Sequence, residues 1–156
     1  MIITIDTREQ RPWSFPDYVE TEIGTLRTGD YSIKGDAGFA IERKSVDDFA
    51  GTISTDWPRF CRELRRMDDA GFPAKVIIVE AELAEFCYRA MRGEILPPVH
   101  EHVQLLPQFI MKRVAELTMR GCAVLFCGDA ALASNMALKI FIEREKSIYE
   151  YDNNSR

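Results

Sequence analysis

The sequence predicts an α/β fold in which helices flank both faces of a mixed central sheet. Short β-branched or apolar runs are typical of strands, longer segments repeat apolar residues at helical spacing, and the two kinds of segment alternate along the chain. A length of 156 residues, with 46% hydrophobic and 29% charged residues, also fits one globular domain.

The first half of the chain is predicted to form three strands and two helices. The Gly-rich stretch 34–38 marks a hairpin turn between two strands. Asp56 is expected to cap the second helix. The predicted order is a strand over Met1–Asp6, hairpin strands over Leu26–Ile33 and Phe39–Lys44, and helices over Asp47–Thr52 and Trp57–Met67.

The second half is predicted to add two strands and three helices. The apolar run Lys75–Glu80 is typical of a strand in the middle of a sheet. The last helix is expected to turn Leu132, Met136, Ile140 and Phe141 inward. The other predicted elements are a helix over Leu83–Met91, a loop over Arg92–Gln104, a helix with apolar positions from Val103 to Leu117, a buried strand over Cys122–Cys127 and a helix over Ala131–Tyr149. The domain is expected to span residues 1–148, followed by a flexible tail over 149–156.

Charge and hydropathy exclude several classes of protein. A net charge of −5 argues against a protein that coats nucleic acid indiscriminately, because such proteins are basic. No apolar run approaches the ~20 residues of a membrane helix, and the opening run is too short for a signal peptide. The protein is therefore expected to be intracellular, in the cytoplasm with the nucleus left open, and a virus or mobile element is considered as its source.

The four cysteines lack a CxxC pair and are expected to be small buried hydrophobes.

Acidic residues lie where the first strands end. Asp6 closes the first strand, and Asp30 lies on the hairpin strand that neighbours Glu42 and Lys44. Alternate residues of a strand share a face, so Glu42 and Lys44 project to the same side. Two carboxylates held close repel each other unless a cation or a proton lies between them, and Mg²⁺ prefers such oxygen ligands. A surface network of salt bridges is the alternative that this pattern alone leaves open.

A metal ion at this position would suit phosphodiester hydrolysis. Such an ion polarises a phosphate and lowers the pKa of a bound water. Lys44 could orient that water or stabilise negative charge in the transition state. Asp6 could complete the coordination sphere or bind a second ion.

Together these residues resemble the GD…ERKxxxD pattern of XPF-type structure-specific endonucleases. The pattern consists of Gly29-Asp30, Glu42-Arg43-Lys44 and Asp48, and the segment from Asp6 to Glu9 is similar to the DxRE segment of that family. The resemblance is tight over Ile3–Ile53 and looser over the rest of the chain. It implies a restriction-endonuclease-like fold, dependence on Mg²⁺ or Mn²⁺, and cutting of branched DNA such as flaps and forks.

The resemblance also implies roles for particular residues. The implied metal ligands are Asp6, Asp30 and Glu42. The other implied catalytic residues are Lys44, beside the attacking water; Arg8 and Arg43, as basic partners of phosphate or of the acidic cluster; and Asp48, as a support of the site that could pair with Arg43.

A row of arginines on the second helix is a candidate DNA contact. Arg59, Arg62 and Arg66 recur at helical spacing opposite the apolar face, and Arg8 joins them as a predicted DNA-binding residue. The alternative is a solvated face in which these arginines pair with nearby acids.

Three further expectations concern partners and activity. XPF-type domains pair through the C-terminal helices, so a homodimer is expected. Relatives usually carry a helix–hairpin–helix module after the nuclease domain, and this chain is expected to stand alone, with a protein partner as one source of DNA anchoring. The main alternative function is that of an inactive DNA-binding or scaffolding partner, and action on RNA or single strands is a further one.

Overall fold

A computed structural model of the chain describes residues 1–86 and 105–150 in full, and only the backbone of 90–91, 94–95 and 151–154. The strands are β1 (Ile2–Asp6), β2 (Glu20–Gly24), β3 (Tyr31–Ile33), β4 (Ile41–Lys44), β5 (Lys75–Val79), β6 (Ala90–Met91), β7 (Glu94–Ile95) and β8 (Cys122–Phe126). The helices are α1 (Val46–Ile53), α2 (Trp57–Asp69), α3 (Leu83–Phe86), α4 (Pro107–Met119) and α5 (Ala130–Asn154).

Six strands form one mixed sheet, in the order β2-β1-β3-β4-β5-β8. β1 is parallel to β2 and antiparallel to β3, and β3 and β4 form the predicted antiparallel hairpin. β4, β5 and β8 are parallel to one another. Helix crossovers between these parallel strands place helices against the sheet, as expected for such connections.

Alternate residues of the strands pack into two separate cores. On one face, Val76 and Ile78 of β5 pack with residues of β1, β3 and β4 and with α5. On the other face, Ile77 and Val79 pack with α1, α2 and α4. The fold class predicted from the sequence, a mixed sheet flanked by helices on both faces, is thereby confirmed.

The sequence did not predict the edge strand β2. None of its five residues is buried, and its sequence Glu-Thr-Glu-Ile-Gly is largely polar. An edge strand needs no continuous apolar face, so the pattern that reveals interior strands is missing. The predicted hairpin is also shorter than expected, because the chain before Tyr31 turns: Gly29 has a φ of 75°.

Several helix predictions need correction. Asp56 occupies the N-cap position of α2, but its side chain makes no capping hydrogen bond and instead pairs with Arg59 at 2.9 Å. In α5 the predicted inward position of Phe141 is confirmed and Ile140 is partly buried, but Leu132 is 59% exposed and Met136 is 41% exposed, and the fully inward positions belong to another set of side chains. That set is Ala133, Ala137, Leu138 and Phe141.

The predicted elements of the second half also change in extent. The helix expected to reach Met91 ends at Phe86, and Ala90–Met91 pairs with Glu94–Ile95 as a small hairpin. α4 begins at Pro107, and the expected start at Val103 lies outside the described residues, as does most of the predicted loop 92–104. β8 is a sheet edge in which only Cys122 is buried. α5 continues past Tyr149, and the flexible tail stays a prediction.

Among the residues that the structure describes, no helix combines the length and the apolar character needed to cross a membrane.

Candidate active site

A cleft of about 480 Å³ opens at the end of the sheet where β1 and β4 finish. Its lining is largely charged and comes from the loop after β1, the start of β3, the strand β4 and the start of α1. The lining residues are Arg8, Glu9, Gln10, Arg11, Asp30, Glu42, Arg43, Lys44, Ser45 and Asp48. The structure therefore brings together most of the predicted site residues.

Backbone hydrogen bonds fix Asp30 between two strands. Its N–H donates to the carbonyl of Ile41 at 2.9 Å, and its carbonyl accepts from the N–H of Asp6 at 2.8 Å. Gly29 makes this approach possible, since a Cβ at that position would lie 2.7 Å from the Cβ of Ala40. Asp30 is consequently held by its main chain, whatever its carboxylate binds.

Glu42 and Lys44 lie on one face of β4, as the alternation predicted. Lys44 Nζ donates to Glu42 Oε1 at 2.6 Å, and both side chains are 16% exposed. Asp30 Oδ2 accepts from the backbone N–H of Arg43 at 2.8 Å, which ties the Asp30 carboxylate to the same strand. The carboxylates of Asp30 and Glu42 and the ammonium group of Lys44 therefore lie together in the cleft.

The electrostatics of the cleft favour a bound cation. Burial and the negative charge of Glu42 raise the pKa of Asp30 to about 7. Burial works to lower the pKa of Lys44, but the charge of Glu42 and its hydrogen bond outweigh burial and raise it. Lys44 therefore remains a cation at neutral pH, which suits charge stabilisation or hydrogen-bond donation rather than general-base catalysis.

Asp6 lies behind the cleft rather than on its lining. Its side chain is almost fully buried, and its oxygens accept hydrogen bonds from the Arg8 backbone at 2.9 Å, from Arg8 Nε at 2.5 Å and from the Leu26 backbone at 2.7 Å. Burial works to raise the pKa of Asp6, but these hydrogen bonds outweigh burial and lower it. The role of Asp6 as a metal ligand stays a prediction, and it would require these donors to move.

Arg43 projects to the opposite side of β4 from Glu42 and Lys44. Its Nε and one terminal nitrogen donate to the two oxygens of Glu80, each at 2.8 Å, and the other terminal nitrogen donates to Glu9 at 3.0 Å. The hydrogen bond to Glu80, acting against burial, raises the pKa of Arg43. The Arg43 side chain thus binds Glu80 and Glu9 rather than Asp6, Asp30 or Glu42, and its role toward phosphate stays a prediction.

The suggested pairing of Asp48 with Arg43 was wrong. The Asp48 carboxylate accepts from Ser45 Oγ at 2.6 Å, and the Asp48 backbone N–H donates back to Ser45 Oγ at 3.2 Å. This reciprocal arrangement caps the N-terminus of α1. Glu80 and Glu9 lie closer to Arg43 because they share its side of the sheet.

The predicted DNA-binding arginines are exposed. Arg59, Arg62 and Arg66 lie on the outer surface of α2, opposite the buried Leu64. Arg8 is on the rim of the cleft with a side chain that is 68% exposed. These positions permit contact with DNA, and the contact itself stays a prediction.

The donor set of the cleft fits Mg²⁺ or Mn²⁺. Mg²⁺ is commonly held by one or two carboxylates, with water and substrate phosphate as its other ligands, and Asp30 and Glu42 supply two. Within the described part of the chain, no group of three or more His, Cys, Asp or Glu side chains is arranged to hold a metal ion. A third protein carboxylate would therefore need a change of side-chain position.

Glu9, Glu80 and Trp13 contribute to the site although the sequence predicted none of them as a site residue. Glu9 lines the cleft, Glu80 anchors Arg43, and the Trp13 indole donates to Glu80. Glu9 belongs to the same sequence segment as Asp6 and Arg8, and this proximity could have indicated that Glu9 lies at the site. Glu80 follows a buried strand that is parallel to β4, and only that pairing places it beside Arg43.

Comparison with known proteins supplies a family and a fold. The ERCC4 domain family matches residues 5–140 of the chain. No curated protein matches it in sequence. Among solved structures, a chain of XPF from Aeropyrum pernix, in complex with DNA, is similar at a TM-score of 0.65 with 19% identity. The match covers 94% of this chain and 66% of that chain, so this chain spans about two thirds of its length.

Proposed function

Because the chain belongs to the ERCC4 domain family, we propose that it is a DNA endonuclease that depends on Mg²⁺ or Mn²⁺. The preferred substrate is branched or flapped DNA, in repair, recombination or replication. The similar XPF structure holds DNA, which supports DNA as the substrate class. The matched residues include all members of the GD…ERKxxxD pattern.

One observation carries the proposal. Asp30 and Glu42 lie close enough in one cleft for the charge of Glu42 to raise the pKa of Asp30. The single ammonium group of Lys44 pairs with Glu42 and does not offset the repulsion between Glu42 and Asp30, which a divalent cation would do. A divalent cation removes that repulsion, and the cleft is open to a phosphate.

The proposed mechanism assigns a task to each side chain. Asp30 and Glu42 would hold the cation, which supplies Lewis acidity and a lowered pKa for bound water. Lys44, protonated and hydrogen-bonded to Glu42, would donate to the attacking water or to the phosphate oxygens. Arg8, on the rim, would bind an adjacent phosphate. Ser45 and Asp48 would hold Lys44 by fixing where α1 begins.

Cleavage assays test this function. Labelled flap, fork, duplex and single-stranded DNA and a single-stranded RNA are incubated with Mg²⁺ and wild type, Asp30→Asn, Glu42→Gln or the control Asp47→Asn, which alters an exposed neighbouring acid. We expect metal-dependent cutting of the branched DNAs by wild type and the control only. DNA binding without cutting in Mg²⁺ or Mn²⁺ would favour the inactive scaffold, and preference for RNA would change the substrate class.

We also propose that two copies of the chain pair through α4 and α5. Both helices leave large apolar side chains in water: Met119 is 86% exposed and Leu132 is 59% exposed. Sedimentation velocity at micromolar concentration should give a dimer that Leu132→Glu dissociates. Tyr18→Glu, which alters an exposed aromatic residue before β2 at the opposite edge of the sheet, should leave the dimer intact. A monomeric wild type would contradict this proposal.

A further inference from the structure

Glu80 and Trp13 form a buried support beneath the cleft. Glu80 follows β5, and its N–H donates to the carbonyl of Lys44 at 2.9 Å, so its backbone continues the ladder beside β4. Its two carboxylate oxygens accept from Arg43 in a fork, each at 2.8 Å. Paired hydrogen bonds of this kind fix orientation as well as distance. The guanidinium plane of Arg43 is therefore set by Glu80.

Trp13 holds Glu80 from the other side. The indole N–H donates to Glu80 Oε1 at 2.5 Å. The Trp13 ring is 5% exposed and stacks on Tyr31, with centroids 4.4 Å apart and an angle of 13° between the planes. The Trp13 backbone N–H donates to the Tyr31 hydroxyl at 2.9 Å. Glu80 is thus fixed between a rigid aromatic pair and Arg43.

This support limits the number of hydrogen bonds that Arg43 can donate to Glu9. Because Glu80 occupies Nε and one terminal nitrogen, the remaining terminal nitrogen makes a single hydrogen bond to Glu9 Oε1 at 3.0 Å. The same oxygen accepts from the Arg11 backbone at 2.7 Å. Among the described residues, no donor contacts Glu9 Oε2, although Glu9 lines the cleft.

We propose that Glu80 and Trp13 are positioning residues that keep one oxygen of Glu9 available to water bound by a divalent cation in the cleft. This inference rests on the proposed function. Without the charge of Glu80, the guanidinium group of Arg43 would rotate toward Glu9 and donate hydrogen bonds to both of its carboxylate oxygens. Glu80 therefore acts on the cleft through Arg43 and Glu9, although it does not line the cleft itself.

A double-mutant cycle on ion binding tests the route of this effect. Mn²⁺ affinity is measured without DNA, by electron paramagnetic resonance of the free ion, in wild type, Glu80→Gln, Glu9→Gln and the double variant. Supports of metal ligands commonly change affinity by about tenfold or more, and we expect a loss of about tenfold in Glu80→Gln. In the Glu9→Gln background the Glu80 substitution should have little further effect, because the two residues act in one chain.

Two more variants separate positioning from general damage. Trp13→Phe keeps the stacked ring but removes the N–H donor, and should weaken Mn²⁺ binding by a few-fold factor. Glu82→Gln changes an exposed acid two residues after Glu80 and should bind Mn²⁺ as wild type does. If Glu80→Gln fails to fold, the cycle is repeated with Trp13→Phe.

The outcomes distinguish this inference from the proposed function. Equal Mn²⁺ affinity in wild type and Glu80→Gln, or losses that simply add in the double variant, would overturn the positioning role. A wild type that binds Mn²⁺ with the expected coupling but cuts no nucleic acid would overturn the proposed function alone. A wild type that binds no Mn²⁺ would overturn both.

Discussion

Lowering the pH from 8 to 6 should weaken divalent-ion binding through the protonation of Asp30. The pKa of this carboxyl is raised to about 7 by burial and by the charge of Glu42. A carboxylate must lose its proton to bind a metal, so the affinity follows its ionised fraction. That fraction is about 0.9 at pH 8 and about 0.1 at pH 6 for a pKa of about 7. The dissociation constant of the ion should therefore be roughly tenfold larger at pH 6 than at pH 8.

The assay is a Mn²⁺ titration of the DNA-free protein at pH 6, 7 and 8, read by electron paramagnetic resonance. Carboxyl ¹³C NMR of the metal-free protein gives the pKa of Asp30 independently. Glu42→Gln should move that pKa downward, because it removes the negative charge that raises it. The control Asp47→Asn should leave it unchanged.

A specific result would refute this reasoning. If the Mn²⁺ dissociation constant changes less than twofold between pH 6 and pH 8, Asp30 is already ionised across that range. Its carboxylate would then be solvated or paired, and the cleft would not hold two repelling acids. An NMR titration of Asp30 in the ordinary aspartate range would lead to the same conclusion.

Three other predictions concern stability and DNA binding. The pKa of Asp30 is higher in the folded protein than in the unfolded chain, so the stability that protonated Asp30 contributes is present at low pH and is lost as the pH rises through about 7. Asp30→Asn should therefore raise the unfolding free energy of the metal-free protein at pH 8 by up to about 4 kcal/mol, measured by urea unfolding, and should not raise it at pH 4. Phe49 is fully buried against Phe86 and Phe126. Phe49→Ala should therefore lower the unfolding free energy of the protein by about 3–5 kcal/mol. A decrease below about 1 kcal/mol would contradict this packing. Changing Arg62 and Arg66 to Glu should weaken DNA binding and reduce the slope of log affinity against log salt by about 2. The control Lys139→Glu, on the exposed surface of α5, should change neither quantity. Unchanged affinity in the arginine variant would show that these arginines form a solvated face without contact to DNA.

The sequence by itself determined the fold class and the residues at the centre of the candidate site. Apolar periodicity locates interior strands and amphipathic helices, because these elements must bury one side or both. The positions of Asp30, Glu42 and Lys44 follow from a hairpin and its alternation, which are local properties of the chain. Their resemblance to XPF-type residues led to the same family that matches residues 5–140.

The tertiary structure decided what lies far apart in the sequence or carries no periodic signal. The edge strand β2 has no buried residue, so no apolar pattern marks it. The inward face of α5 is set by how the helix is oriented on the sheet, which buries Ala133 and Ala137 and exposes Leu132 and Met136. The pairing of Arg43 with Glu80 needs β4 and β5 side by side. Contacts across a sheet depend on strand order and register, and no local spacing encodes either.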